Sequence, residues 1–240
     1  SAGVPSTHII KPPQLGSDGK PLYEDIVANE LFCLNVLAEA GLATARAERV
    51  TFRGRDALVV ERFDRTLDDS GRVVRLHQED TCQALGRVAD QKYEDEHGGV
   101  RLAEVFALVS GVGASPARAR LMLLNQVVAN YVLGNADAHA KNISVLYPAP
   151  GVGRLAPLYD VLCTAVYKQL TTDLSLRIGG VLKSDRVDGN AMKSLAREVG
   201  LAEPATARHA ASLARRIADC ARAMVDMARA AGWFRPVLEE

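Results

Sequence analysis

Gly134-Asn135-Ala136-Asp137-Ala138-His139-Ala140-Lys141-Asn142 lies between a long apolar segment and a β-rich one, and its reading decides the fold. It sets Asp137 and Asn142 five positions apart, the spacing of a phosphotransfer catalytic loop. In such a loop the aspartate takes the proton of the attacking hydroxyl, and the asparagine offers its amide oxygen to a nucleotide-bound Mg²⁺. The small residues Ala136, Ala138 and Ala140 leave room around the carboxylate. Asp160, in Leu158-Tyr159-Asp160-Val161, follows after about one hairpin of chain. It is expected as the second metal ligand, because Mg²⁺ commonly takes one or two carboxylates together with phosphate oxygens. His139 either orients Asp137 or packs beneath the loop, and packing is the reading adopted, since this chemistry needs only one base. Lys141 either neutralises charge on the transferring phosphoryl group or is a solvated loop lysine.

The chain has 240 residues, 48% of them hydrophobic, enough to bury a substantial core in one large domain or two lobes. Lys plus Arg and Asp plus Glu both total 29, so no global positive excess argues for a nucleic-acid coat or a polybasic membrane anchor. Cys33, Cys82, Cys163 and Cys220 form no C-x-x-C pair and read as buried thiols in a reducing compartment. The longest apolar run, Leu121 to Gly134, is broken by Asn125, Gln126 and Asn130 and falls short of the roughly 20 residues that span a bilayer. A cytoplasmic protein without a membrane partner is the expectation.

Residues 7–11 read as a strand stopped by Pro12-Pro13, and a helix is expected from Asp25 to Gly41. Strands over 45–52 and 57–63 meet across a turn at Arg53-Gly54-Arg55-Asp56. A polar segment, Asp68 to Arg72, then introduces a mostly helical remainder. Helices are expected over 78–85, 102–110, 115–133, 189–199 and 204–231, with strands at 143–146, 154–156 and 174–177.

Lys11 ends an otherwise apolar strand, where a buried ammonium needs a partner, and Glu30 on the following helix is the nearest candidate. A lysine gripping nucleotide phosphates and steadied by a helix glutamate is the arrangement of kinase small lobes. Glu61-Arg62-Phe63-Asp64, where the small sheet hands over, has backbone groups placed to meet a flat heterocycle. Without such a ligand, Arg62 and Asp64 are an ordinary surface ion pair. The polar runs 75–80 and 92–99 read as solvated loops and caps.

Thr7-His8-Ile9-Ile10-Lys11-Pro12, Glu61-Arg62-Phe63-Asp64-Arg65, Leu76-His77-Gln78-Glu79-Asp80 with Cys82-Gln83-Ala84-Leu85-Gly86, the 135–142 loop and Tyr159-Asp160-Val161 together closely resemble the HipA family of serine/threonine kinase toxins from bacterial toxin–antitoxin modules. The resemblance runs through nearly the whole chain in the same order. It implies an α+β, protein-kinase-like fold of two lobes, with a small mixed lobe through residue 63, truncated at its amino terminus, and a mostly helical large lobe over 64–240. It implies ATP and Mg²⁺ as cofactors and transfer of the γ-phosphate to a protein serine. By that likeness Lys11 holds ATP phosphates, Glu61 and Phe63 give backbone groups to adenine, and Asp64 lies near the ribose. Asp137 is then the base, and Asn142 and Asp160 bind Mg²⁺. Family members phosphorylate an aminoacyl-tRNA synthetase, often glutamyl-tRNA synthetase, and are neutralised by a DNA-binding antitoxin, so DNA is met only indirectly. They also carry an amino-terminal subdomain and a glycine-rich loop ahead of the position of Ser1. The rival readings are a catalytically silent module holding an antitoxin or its DNA complex, and a phosphotransferase for a small alcohol, which shares the D-x-H-x-x-N loop.

Overall fold

The computed structural model describes residues 3–113 and 115–230. Strand β1 (His8–Lys11) is stopped by Pro12 and Pro13. Helix α1 (Ile26–Glu39) ends in a Schellman turn: Gly41, at φ +79°, bonds back to Ala38, and Leu42 donates to the Leu37 carbonyl. Strands β2 (Ala47–Phe52) and β3 (Arg55–Glu61) form a hairpin whose two central residues, Arg53 and Gly54, both have positive φ. That is the conformation whose twist matches paired strands. β1 joins the far edge of β3, giving the antiparallel order β1-β3-β2. Val27 of α1 packs on Leu58 and Val60 of this sheet. The other half of α1, with Leu34, Val36 and Leu37, is buried in the larger core. The helix thus spans the sheet and the larger core, and the Ala45 amide, just before β2, adds a bond to the Leu158 carbonyl.

The segment expected as a polar connection instead forms a hairpin, β4 (Arg65–Leu67) and β5 (Val73–Arg75), closed by the Asp68 carboxylate on the Ser70 and Arg72 backbone. The helix expected over 78–85 also needs correction. His77–Asp80 is a strand, β6, and only Thr81–Ala84 is helical (α2). Asp80 is the reason: its backbone is extended, its side chain caps the Gln83 amide, and Gln83 returns a bond to the Asp80 amide. A capping box fixes the helix start after it, not before.

Helices α3 (Leu102–Val112) and α4 (Pro116–Val132) follow, then β7 (Ser144–Ala149) and β8 (Val152–Leu155), with β7 central between β6 and β8. β9 (Asp173–Ile178) pairs with β10 (Val181–Lys183), a short strand not expected from sequence. α5 (Gly189–Glu198) and α6 (Glu203–Ala230) complete the described chain, and Ala231 of the expected last helix lies outside the described residues. Phe106, Leu123, Leu124, Val128, Leu195, Leu213 and Ile217 fill the main core. Cys33 and Cys82 are buried as expected, whereas Cys163 and Cys220 are half-buried. Among the described residues no helix is long and apolar enough to cross a membrane.

Candidate active site

α4 stops where Gly134 takes φ +67°, a turn that any side chain would crowd, because a Cβ there would meet Ala165 and the Cys163 sulfur at 3.1 and 3.2 Å. The chain then enters the 135–142 loop, and the loop is pinned from several sides. Asn135 is buried; its Nδ2 donates to Asn130 Oδ1 at 2.7 Å and to the Asp160 carbonyl at 3.4 Å, while its Oδ1 accepts from the Asp137 amide. The Ala136 amide donates to Thr164 Oγ1, and the Ala136 carbonyl accepts from both the amide and the hydroxyl of Ser175 on β9. Asn142 Nδ2 donates to the Asp137 carbonyl at 3.0 Å, so the side chain of Asn142 closes the loop back on the residue expected as the base. The Asp137 side chain is exposed, and its Oδ1 accepts from the Tyr93 hydroxyl at 3.0 Å.

Lys11 sits between two carboxylates, with Nζ 2.7 Å from Glu30 Oε1 and 2.6 Å from Asp160 Oδ1. Burial works to lower the Lys11 pKa, but the Glu30 and Asp160 charges overcome it and hold the ammonium above its ordinary value. Asp160 itself has φ +56°, a left-handed backbone uncommon outside glycine. The residue before it keeps it there: the Tyr159 hydroxyl donates to the Lys141 carbonyl at 2.7 Å and shares a 2.6 Å bond with Ser144. Asp137 and Asp160 line one cleft of about 560 Å³, with Tyr93 and Asp95 beside them and Leu162 and Leu174 in its wall.

The remaining expected residues fall around this centre. His139 is buried, with Tyr93 edge-on at 5.3 Å and Lys92 Nζ 3.0 Å from Nε2, so it packs beneath the loop. The Lys141 ammonium is drawn to Asp80 Oδ2 at 3.0 Å. Phe63 stacks near Tyr159, centroids 5.3 Å apart, so the end of the small sheet touches the Asp160 segment. Glu61 continues the ladder through its amide to the Arg46 carbonyl. Asp64 is buried, and both of its oxygens are taken, by Arg62 Nε and Nη2 and by Arg65 Nη1 at 2.6–3.0 Å. Burial pushes its carboxyl up, yet the two guanidinium groups bring it below the ordinary range.

Residues 1–228 match the family model described as the HipA-like C-terminal domain. The chain belongs to the HipA family. A relative from Sinorhizobium fredii named "Putative kinase Y4mE" is 40% identical over 212 residues, covering 88% of this chain and 49% of that protein. The serine/threonine-protein kinase toxin HipA of Shewanella oneidensis is 32% identical over 184 residues, 72% of this chain and 40% of that protein. The structure of Shewanella oneidensis HipA with HipB and operator DNA superimposes with a TM-score of 0.79 at 28% identity, over 92% of this chain and 51% of that one. The chain thus spans about half the length of the relatives it matches.

In this HipA-family chain Asp160 lines the cleft with Asp137, whereas Asn142, expected as the other metal ligand, is not among the residues lining it. Among the described residues no hydrogen bond reaches Asp160 Oδ2, so one oxygen stays open beside the Lys11 pair. Neither Tyr93 nor Lys92 stands out as a site residue in the sequence, because they are 44 and 47 positions from their partners Asp137 and His139. Tyr159 and Asn135, by contrast, adjoin Asp160 and the Asp137 loop in the sequence.

Proposed function

We propose that this chain is the ATP- and Mg²⁺-dependent phosphotransfer portion of a HipA-type protein serine/threonine kinase. The observation that carries the proposal is Asp137 and Asp160 facing one cleft, with Lys11 bridging from Asp160 to Glu30. In this reading residues 1–63 are the remainder of a small lobe and 64–240 a large one. ATP phosphates draw the Lys11 ammonium from Asp160 while Glu30 keeps hold of it. The backbone of Glu61 to Phe63 meets adenine. Asp64, already held by two arginines, acts on the ribose side as part of a rigid turn.

Asp137 then takes the proton of an acceptor serine hydroxyl as its oxygen bonds to the γ-phosphorus. The bond from that phosphorus to the β,γ-bridging oxygen breaks, and ADP leaves. Mg²⁺, when held by Asn142 and Asp160, supplies charge neutralisation on the phosphates. Lys141, engaged by Asp80, ties the loop to β6. A protein substrate such as glutamyl-tRNA synthetase, a DNA-binding antitoxin partner and a cytoplasmic setting follow from the family likeness. HipA of Shewanella oneidensis, which superimposes on the chain, was solved with HipB and DNA.

The test is transfer from γ-labelled ATP by the intact protein that carries this chain, alongside its Asp137→Asn variant. Loss of a general base lowers the rate about 10²- to 10⁴-fold. Equal transfer by both removes Asp137 from the mechanism. Calorimetry with Mg·ATP separates a kinase from a silent scaffold, which need not bind nucleotide.

A further inference from the structure

We infer that Tyr93 is a positioning residue for the base Asp137, and that residues 92–95 form a brace holding the 135–142 loop in its working geometry. The role in catalysis rests on the kinase reading; the brace is a matter of contacts. The Tyr93 hydroxyl donates to Asp137 Oδ1 at 3.0 Å, and its ring lies edge-on to His139 at an interplanar angle of 73°. Lys92 Nζ is 3.0 Å from His139 Nε2 and 4.8 Å from the centroid of the Tyr93 ring. An ammonium only donates, so Nε2 accepts, and the imidazole is neutral with its proton on Nδ1. That Nδ1 is buried with no hydrogen-bond partner among the described residues. Two adjacent side chains therefore grip two alternate residues of the loop.

The brace has a firm mounting. The Glu94 amide donates to the Ser175 carbonyl at 3.0 Å, the Arg177 amide donates to Glu94 Oε2 at 2.6 Å, and Arg177 Nη2 donates to Asp95 Oδ1 at 2.6 Å. Ser175 also holds the Ala136 carbonyl, immediately before the base, through its amide at 3.0 Å and its hydroxyl at 2.7 Å. Phenol and base are thus both fastened to β9, and the distance between them is set by one strand. A carboxylate gripped at Oδ1 has one oxygen, Oδ2, left to meet an acceptor hydroxyl; an ungripped one rotates and offers either. Burial, helped by the Asp137 charge, raises the Tyr93 pKa, so the phenol remains a protonated donor through neutral pH.

Tyr93→Phe in the intact protein keeps the ring against His139 and removes only the hydroxyl. The expected result is a kcat lower by about ten-fold with KM for ATP unchanged, the size expected when a hydrogen bond to a charged group is lost. Tyr93→Ala, which also loses the ring contact, falls further. A Tyr93→Phe enzyme with wild-type kcat, measured where Asp137→Asn is inactive, overturns the positioning role. A second readout does not need turnover: carbon-13 NMR of tyrosine Cζ should show the Tyr93 phenol ionising at lower pH in Asp137→Asn than in the wild type. An unchanged titration overturns the contact itself. Absence of phosphate transfer by the wild type, with the titration moved as expected, refutes the kinase reading and leaves the brace standing without its catalytic role.

Discussion

Lys11, Glu30 and Asp160 show how much a few side chains carry, because Lys11 and Asp160 are 149 positions apart and meet at 2.6 Å. Lys11→Met leaves the Glu30 carboxylate, 8% exposed, without its ammonium. The expected cost is about 2 kcal/mol in urea denaturation, below that of a fully buried pair because a third of the Lys11 side chain meets water. Adding Glu30→Gln should return part of the loss, the signature of a coupled pair. His139 gives a pH prediction. Burial pushes its imidazole below the ordinary 6.5, and the Lys92 ammonium adds to this against the Asp137 charge. The unfolded chain therefore takes up the proton first as pH falls. Stability is full above about pH 6.5 and is lost as pH drops from there through the lower folded value. Thermal melts from pH 8 to 5 should show this decline, and it should flatten in His139→Gln. Asp137, Asn142 and Asp160 were candidates from type and spacing, and the structure brings Asp137 and Asp160 to one cleft. Tyr93 was not a candidate, since a tyrosine in a polar run carries no local mark of its partner.

At the scale of elements, the β9–β10 turn is the most demanding joint. Gly179 has φ +57°, and a Cβ there would lie 2.1 Å from the Ala191 carbonyl oxygen of α5. Gly179→Ala must strain the backbone and push α5 away from β9, and should cost about 3 kcal/mol or more, read as a lowered denaturation midpoint. Apolar spacing located α1 and alanine-rich composition α5 within a few residues, and α3 and α4 also lie where helices were expected. The sequence reading failed at His77–Asp80, where four polar residues form a strand. Their ladder to Ser144–Tyr147 provides what apolar alternation normally signals. The same holds for β4 and β5, which turn about one aspartate.

Over the whole molecule, α1 belongs to both apolar clusters and Ala47 of β2 packs against both as well, so the small sheet and the helical core are coupled. Phe106→Ala, at the centre of the larger cluster with 1% exposure, should cost about 3–5 kcal/mol and weaken both parts together in a single thermal transition. Mg·ATP, if bound across Lys11 and Asp160, should raise the melting temperature in proportion to the logarithm of its concentration. An Asp160→Asn variant should lose most of that rise. What the sequence determined by itself was local: the helical segments, the glycine stops and the candidate residues of the 135–142 loop, since each depends on residues within one or two turns of chain. Tertiary structure alone decided which of them meet. It set Lys11 against Asp160, Tyr93 against Asp137 and Lys141 against Asp80, because those contacts depend on how β1, β6 and β9 are brought beside the loop, and no short stretch of residues records that.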